Sequence, residues 1–386
     1  MVGLLVPACG DDGSGSDGDG GGTTVSSEDG GTTTPTSTTA STGAGAETAD
    51  EGSDDLLDTS ADGECPPCVP PPSDDCVGMG PCGCGPYECE GLFDGEPGEA
   101  VAQVACPACD CQVALGATDV YVLDDVGISR ATLGGGELTP LFSGTGAGAF
   151  EPRDFLAVDT GLVIAESTGL TVVGNDGAPM GTLGMFDEPT GMTTRASYLF
   201  FGRSGEGALY RVEDNPLGAG SGALVGGMDA AMPFGDAAGQ DTTVVFSAGG
   251  DIHAVLDAVS ATPGDTVTLA AGASAALTVD SIDVQNDVVV FLRTDGSIAS
   301  VPLAGGDVTT VAEVAATSVA LRAGVVYFTE DNAVRRVSVQ GGDPEVHAAF
   351  GLQTSPSIAN NDGELFWVAC EAQTDVLIST LRRIAL

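Results

Sequence analysis

The chain contains no lysine: all 11 basic residues among its 386 are arginines. That absence removes a P-loop, a Schiff-base amine and a Ser-Lys dyad from the chemistry open to it. Histidine is almost missing too. His253 and His347 stand alone, neither at metal-ligand spacing from a third group, so a histidine metal site is not expected. His253 lies in a strand-like run and reads as a packed residue, and His347 as an outer-strand residue remote from any central pocket. No Gly-x-Ser-x-Gly elbow occurs. One tryptophan and 5% aromatic residues suit many small Val/Ala-rich layers better than one large core. No apolar run reaches the 18 residues that a membrane-crossing helix needs.

Positive charge is scarce as a whole. The 56 acidic residues leave a net charge of −45. Residues 1–111 carry 22 of them and no basic residue, and residues 112–386 carry 34 with all 11 arginines. Phosphate backbones and anionic headgroups are recognised by clustered Lys and Arg, so neither nucleic acid nor a lipid surface is an expected partner of the folded part. The acidity reads first as solubility and self-repulsion, and second as a loose attraction for divalent cations such as calcium. No cofactor is otherwise expected.

What the sequence has in quantity is a repeat. Apolar β-type runs begin at Val120, Leu162, Leu199, Val244, Val289, Val325 and Leu365, at successive intervals of 42, 37, 45, 45, 36 and 40 residues. Each is followed by a polar tip, a second run and a glycine-rich turn such as Gly341-Gly342. Seven units near forty residues, all strand and turn, predict an all-β chain folded as a β-propeller of seven four-stranded blades, with six as the alternative. In the fifth unit Ser281–Gln285, Val288–Arg293, Ile298–Leu303 and Asp307–Ala312 read as the four strands from the axis outward. Asp295-Gly296 and Gly305-Gly306 form the hairpin turns, where glycine supplies positive φ. The seventh unit is short, and the alternating run Glu99–Ala105 is expected to supply its missing outer strand.

Four segments follow: a remnant at 1–9, an acidic Gly/Ser/Thr-rich tether at 10–64, a cysteine-rich module at 65–111 and the propeller at 112–386. The tether cannot bury enough apolar surface to order itself. Its roughly 55 residues span an r.m.s. distance of about 40 Å. The module holds Cys65, Cys68, Cys76, Cys82, Cys84, Cys89, Cys106, Cys109 and Cys111 among Pro and Gly, too little apolar content for a core, so disulfides are expected to staple it. Zinc is the alternative for the Cys65/Cys68 and Cys106/Cys109 pairs. Nine is odd, and Cys370 in the last unit makes ten. In a closed ring the first and last blades are neighbours, which predicts a bond from Cys370 to Cys106, Cys109 or Cys111.

Met1 to Gly10, a short apolar run ending in Ala8-Cys9, resembles the lipobox of bacterial lipoproteins. It lacks that family's charged leader and has a shorter apolar run than usual. The resemblance implies acylation of Cys9 and a place in the cell envelope, on an outer membrane facing the periplasm or the exterior. Tyr327-Phe328-Thr329-Glu330 resembles the YWTD signature of YWTD and TolB-like propeller repeats.

Candidate chemistry is thin. Asp124, Asp125, Glu166, Glu330 and Asp331 end second strands and are expected on one face of the disc, either as blade-corner turn residues or as an acidic rim around the channel mouth. Such a rim could serve glycoside chemistry or hold calcium. Gly144, Gly146 and Gly148 read as a glycine-rich connection between blades rather than a phosphate loop. The expected role is therefore a non-enzymatic binding or scaffold module for a protein or glycan ligand. The alternatives are an envelope hydrolase or lyase using the carboxylate rim, and a calcium-dependent adhesion or structural surface protein.

Overall fold

The computed structural model describes residues 97–106, 108–124, 127–143, 152–213, 222–227, 232–272, 281–349, 351, 353–373 and 376–386. The remnant, the tether, six of the module's cysteines (Cys65, Cys68, Cys76, Cys82, Cys84 and Cys89), Asp125 and the three glycines at 144, 146 and 148 lie outside the described residues.

The described chain forms seven four-stranded antiparallel sheets. Six are continuous in sequence, with blades 1 to 6 built from residues 112–143, 154–184, 189–227, 234–270, 282–312 and 318–349. The seventh joins the two ends of the propeller: Gln353–Asn360, Glu364–Gln373 and Val376–Ala385 are completed by Glu99–Val104, which pairs with the third of these strands. The expected closing strand is thus in place. The third strand of this blade runs on through Arg382 and Arg383 to Ala385.

Seven apolar clusters hold the ring, one at each junction between neighbouring blades. They explain why the second strands are apolar at nearly every position. In Tyr198–Arg203 of blade 3, Leu199 and Phe201 pack toward blade 2 while Phe200 packs toward blade 4, and all three are wholly buried. A strand covered on both faces cannot alternate apolar with polar residues. Gly202 in the same strand is required by packing and not by φ, because a Cβ there would overlap the Phe234 ring of blade 4.

The turns between third and fourth strands repeat one conformation. Gly135 and Gly136 have φ of 88° and 140°, Gly305 and Gly306 81° and 142°, and Gly341 and Gly342 90° and 134°. Blade 1, blade 5 and blade 6 therefore use the same glycine pair for the same strained geometry.

At the junction of blades 7 and 1, the buried cysteines Cys106, Cys109, Cys111 and Cys370 pack with Val101, Val113, Phe366, Val368 and Leu381. Two disulfides join them, Cys106–Cys111 and Cys109–Cys370. The second bridges a sequence separation of 261 with Cα atoms 6.1 Å apart. Ser379 donates to the Cys106 carbonyl (2.9 Å), and Arg382 donates to the carbonyls of Pro97 and Gly98 (3.0 and 3.1 Å).

Candidate functional site

The carboxylates that end the second strands act locally at blade corners. Asp124 accepts the Gly127 amide (2.9 Å). Glu166 accepts the Thr171 hydroxyl (2.5 Å). Glu330 accepts the Ala315 amide (3.0 Å) and pairs with Arg335 (2.7 Å). Asp331 holds the left-handed position of a turn, φ 52°, and its carbonyl accepts the Thr354 amide (2.8 Å). Among the described residues no three His, Cys, Asp or Glu side chains converge at metal-binding distance.

The two histidines sit in apolar or edge settings. His253, in the third strand of blade 4, is wholly buried against Phe246, its cross-strand partner, with ring centroids 5.2 Å apart and the rings tilted by 32°. Nδ1 meets the Thr268 hydroxyl at 3.2 Å, and Nε2 has no hydrogen-bond partner among the described residues. Burial holds this imidazole below its ordinary pKa. His347, on the outer strand of blade 6, lies edge-on to Tyr327 and against the Ala385 carbonyl.

Nearer the axis a second set of carboxylates emerges that the sequence reading did not single out. Asp154, Asp236 and Asp283 lie on the first strands of blades 2, 4 and 5. Each accepts the amide of its own successor through Oδ1, from Phe155, Ala237 and Val284. Through Oδ2 each also accepts amides from the first strand, or its approach, of the next blade: Met192 (2.9 Å), Ser281 and Ile282 (2.9 and 3.2 Å), and Leu321 (2.7 Å). Ser357 does the same for blade 1, accepting the Val113 amide at 2.9 Å. Each aspartate thereby ties two blades through charge-assisted bonds, which contribute roughly 1.5–3 kcal/mol each. Burial pushes Asp283 up to about 6, against the opposing pull of its amide donors and of Arg195 and Arg322. These groups build the ring; they are spent on it.

The surface itself offers a different feature between blades 2 and 3. Phe201, Tyr210 and Leu224 are direct neighbours on three adjacent strands of blade 3, so they share one face. Phe201 is wholly buried, Tyr210 half-buried and stacked on it (5.8 Å), and Leu224 63% exposed. Phe186 of the blade 2–3 connection packs on Phe201 (4.6 Å) and so close to Gly222 that a Cβ there would stand 2.8 Å from its ring. Met185, one residue before it, is 75% exposed. An apolar row thus runs from the core out to the margin and ends in solvent.

Two ion-paired networks border the row. Arg203 pairs with Glu206 (2.8 Å) and lies over the Tyr210 ring, whose hydroxyl donates to Glu206 (2.5 Å). That hydroxyl and Arg203 hold the Glu206 carboxyl below the usual carboxylate range. Beside it Glu188 accepts from Ser204 (2.5 Å) and pairs with Arg153 (2.8 Å), and these two hold its carboxyl low as well. A second surface feature is an open cleft of about 470 Å³ between blades 4 and 5, lined by Ala271, Gly272, Arg293, Thr294, Asp295 and Val308.

No known sequence family matches the chain, and no curated protein matches it either. Solved structures do. The chain is similar to YCF48 in its complex with a D1 peptide, with 12% identity over 75% of this chain and 96% of that one and a TM-score of 0.54. It is similar to the Neurospora crassa Pan2 WD40 domain, with 13% identity over 75% and 96% and a TM-score of 0.51. The AfRom2 CNH domain matches at 8% identity over 75% and 98%, with a TM-score of 0.51. Likeness at such identity is likeness of fold, and the fold is a propeller.

Proposed function

We propose that this chain is a lipid-anchored, envelope-exposed propeller that works as a binding or scaffold module for protein ligands. The observation that carries the reading is the row Phe201–Tyr210–Leu224, which emerges from the core at a blade margin with Met185 beside it. Exposed aliphatic groups backed by buried aromatics, and bordered by Arg and Tyr, have the composition of protein-binding hot spots. Sugar recognition needs a denser set of outward hydrogen-bond donors, and here Arg153 and Arg203 already serve Glu188 and Glu206.

Anchoring is supported by the sequence. Ala8-Cys9 would provide the acylated cysteine, and residues 10–64 a spacer long enough to hold the ring clear of a bilayer. Metabolic labelling with an alkynyl fatty acid tests the anchor: label lost in Cys9→Ser supports it, and label retained or never present overturns it. A photo-crosslinking residue placed at Leu224 in the full chain tests the binding surface. Discrete crosslinked protein bands at 224, and none at an exposed position such as Asp343, are the expected result.

A further inference from the structure

The arginines at the margin between blades 2 and 3 are already neutralised, Arg153 by Glu188 and Arg203 by Glu206. Asp187 is exposed there and forms no ion pair among the described residues. Asp187 is two residues from Met185. The margin therefore combines exposed Met185 and Leu224 with the unpaired carboxylate of Asp187, in a chain whose net charge is −45.

We infer that this margin docks an extended protein segment carrying aliphatic side chains interspersed with Lys or Arg. This rests on the binding reading above and adds the partner's chemistry to it. Aliphatic groups would cover Leu224 and Met185 and extend the apolar row begun by Phe201 and Tyr210. Cationic groups would meet Asp187 and the negative field of the ring. An acidic segment finds no unpaired arginine here and is repelled by the field of the whole ring.

Three fluorescein-labelled peptides of equal length, alternating Leu with Lys, Gln or Glu, provide the probes, titrated by polarisation against the full protein and its Leu224→Asp variant. Leu224 is mostly in solvent, so the variant keeps its fold, which matching thermal melts verify. The substitution removes apolar contact while adding negative charge, and so separates the two contributions. The Leu/Lys peptide is expected to bind best and the Leu/Glu peptide not at all. Leu224→Asp is expected to weaken the Leu/Lys peptide roughly tenfold, as loss of one aliphatic contact implies. Equal binding of the Lys and Gln peptides would overturn the cationic partner while leaving a binding margin in place. Leu/Lys binding that is unchanged or stronger in the variant would show attraction to bare charge and overturn both. Absence of binding by all three overturns the extended aliphatic–cationic occupant, and crosslinking at Leu224 then decides the binding reading separately.

Discussion

Cys109 and Cys370 are bonded across the junction where the propeller's last blade meets its first. The bond lies beside the Glu99–Val104 strand, so the ring is shut at one place by two devices, a strand pairing and a covalent bridge. The neighbouring Cys106–Cys111 bond closes only a sequence separation of 5.

The two bridges should differ sharply in their effect on stability. On chain-entropy grounds a bond across 261 residues restrains the unfolded chain by about 5 kcal/mol, against about 2 for the short loop. Urea unfolding of the Cys109→Ser/Cys370→Ser protein should show the larger loss, and Cys106→Ser/Cys111→Ser the smaller. Equal losses would mean that the long bridge does not restrain the unfolded chain.

His253 predicts a loss of stability in mild acid. Its folded-state pKa is held below 6.5 by burial, so the unfolded chain takes up the proton first. Stability from this residue is complete above about pH 6.5 and declines as the pH falls through that value toward the folded pKa. A His253→Phe variant, measured by denaturant unfolding between pH 7.5 and 5, should lose part of that decline.

Asp283 has the opposite sign. A carboxyl raised to about 6 favours the fold when protonated, so its contribution is greatest below about pH 4 and is lost as the pH rises through 6. Asp283→Asn can still accept the Leu321 amide through Oδ1. Relative to this variant, the wild-type protein should lose up to about 3 kcal/mol between pH 4 and pH 7. A constant difference across that range would show that Asp283 stays ionised.

Gly202→Ala tests packing between blades 3 and 4. The new Cβ collides with Phe234, whose ring is stacked on Phe246 at 5.4 Å and cannot retreat freely. A loss of about 1–3 kcal/mol in urea unfolding is expected. Phe234→Ala combined with Gly202→Ala should cost less than the two single losses added together.

Much of this fold could be read from the sequence for one physical reason. Second strands packed on both faces become unbroken apolar runs, and such runs at Leu162, Val244 and Val325 mark one blade each. The closing strand was legible because Glu99–Val104 alternates beside a unit that is one strand short. The staples at Asp154, Asp236 and Asp283 were not, since their acceptors' partners lie about forty residues away and depend on how blades sit side by side. A signal did exist: each is the one aspartate of its first strand and is followed directly by an apolar residue. The row Phe201–Tyr210–Leu224 was hidden because it crosses three strands at unequal spacing. Asp124, Glu166, Glu330 and Asp331 stand at the ends of second strands as expected, but which neighbour each would bind depended on turn geometry.

Peptide mapping of the non-reduced protein by mass spectrometry tests the closed ring most directly. A crosslinked species joining the peptide of Cys370 to that of Cys109 is the predicted result. Cys370 recovered as a free thiol, or bonded to any cysteine between residues 65 and 89, would contradict it.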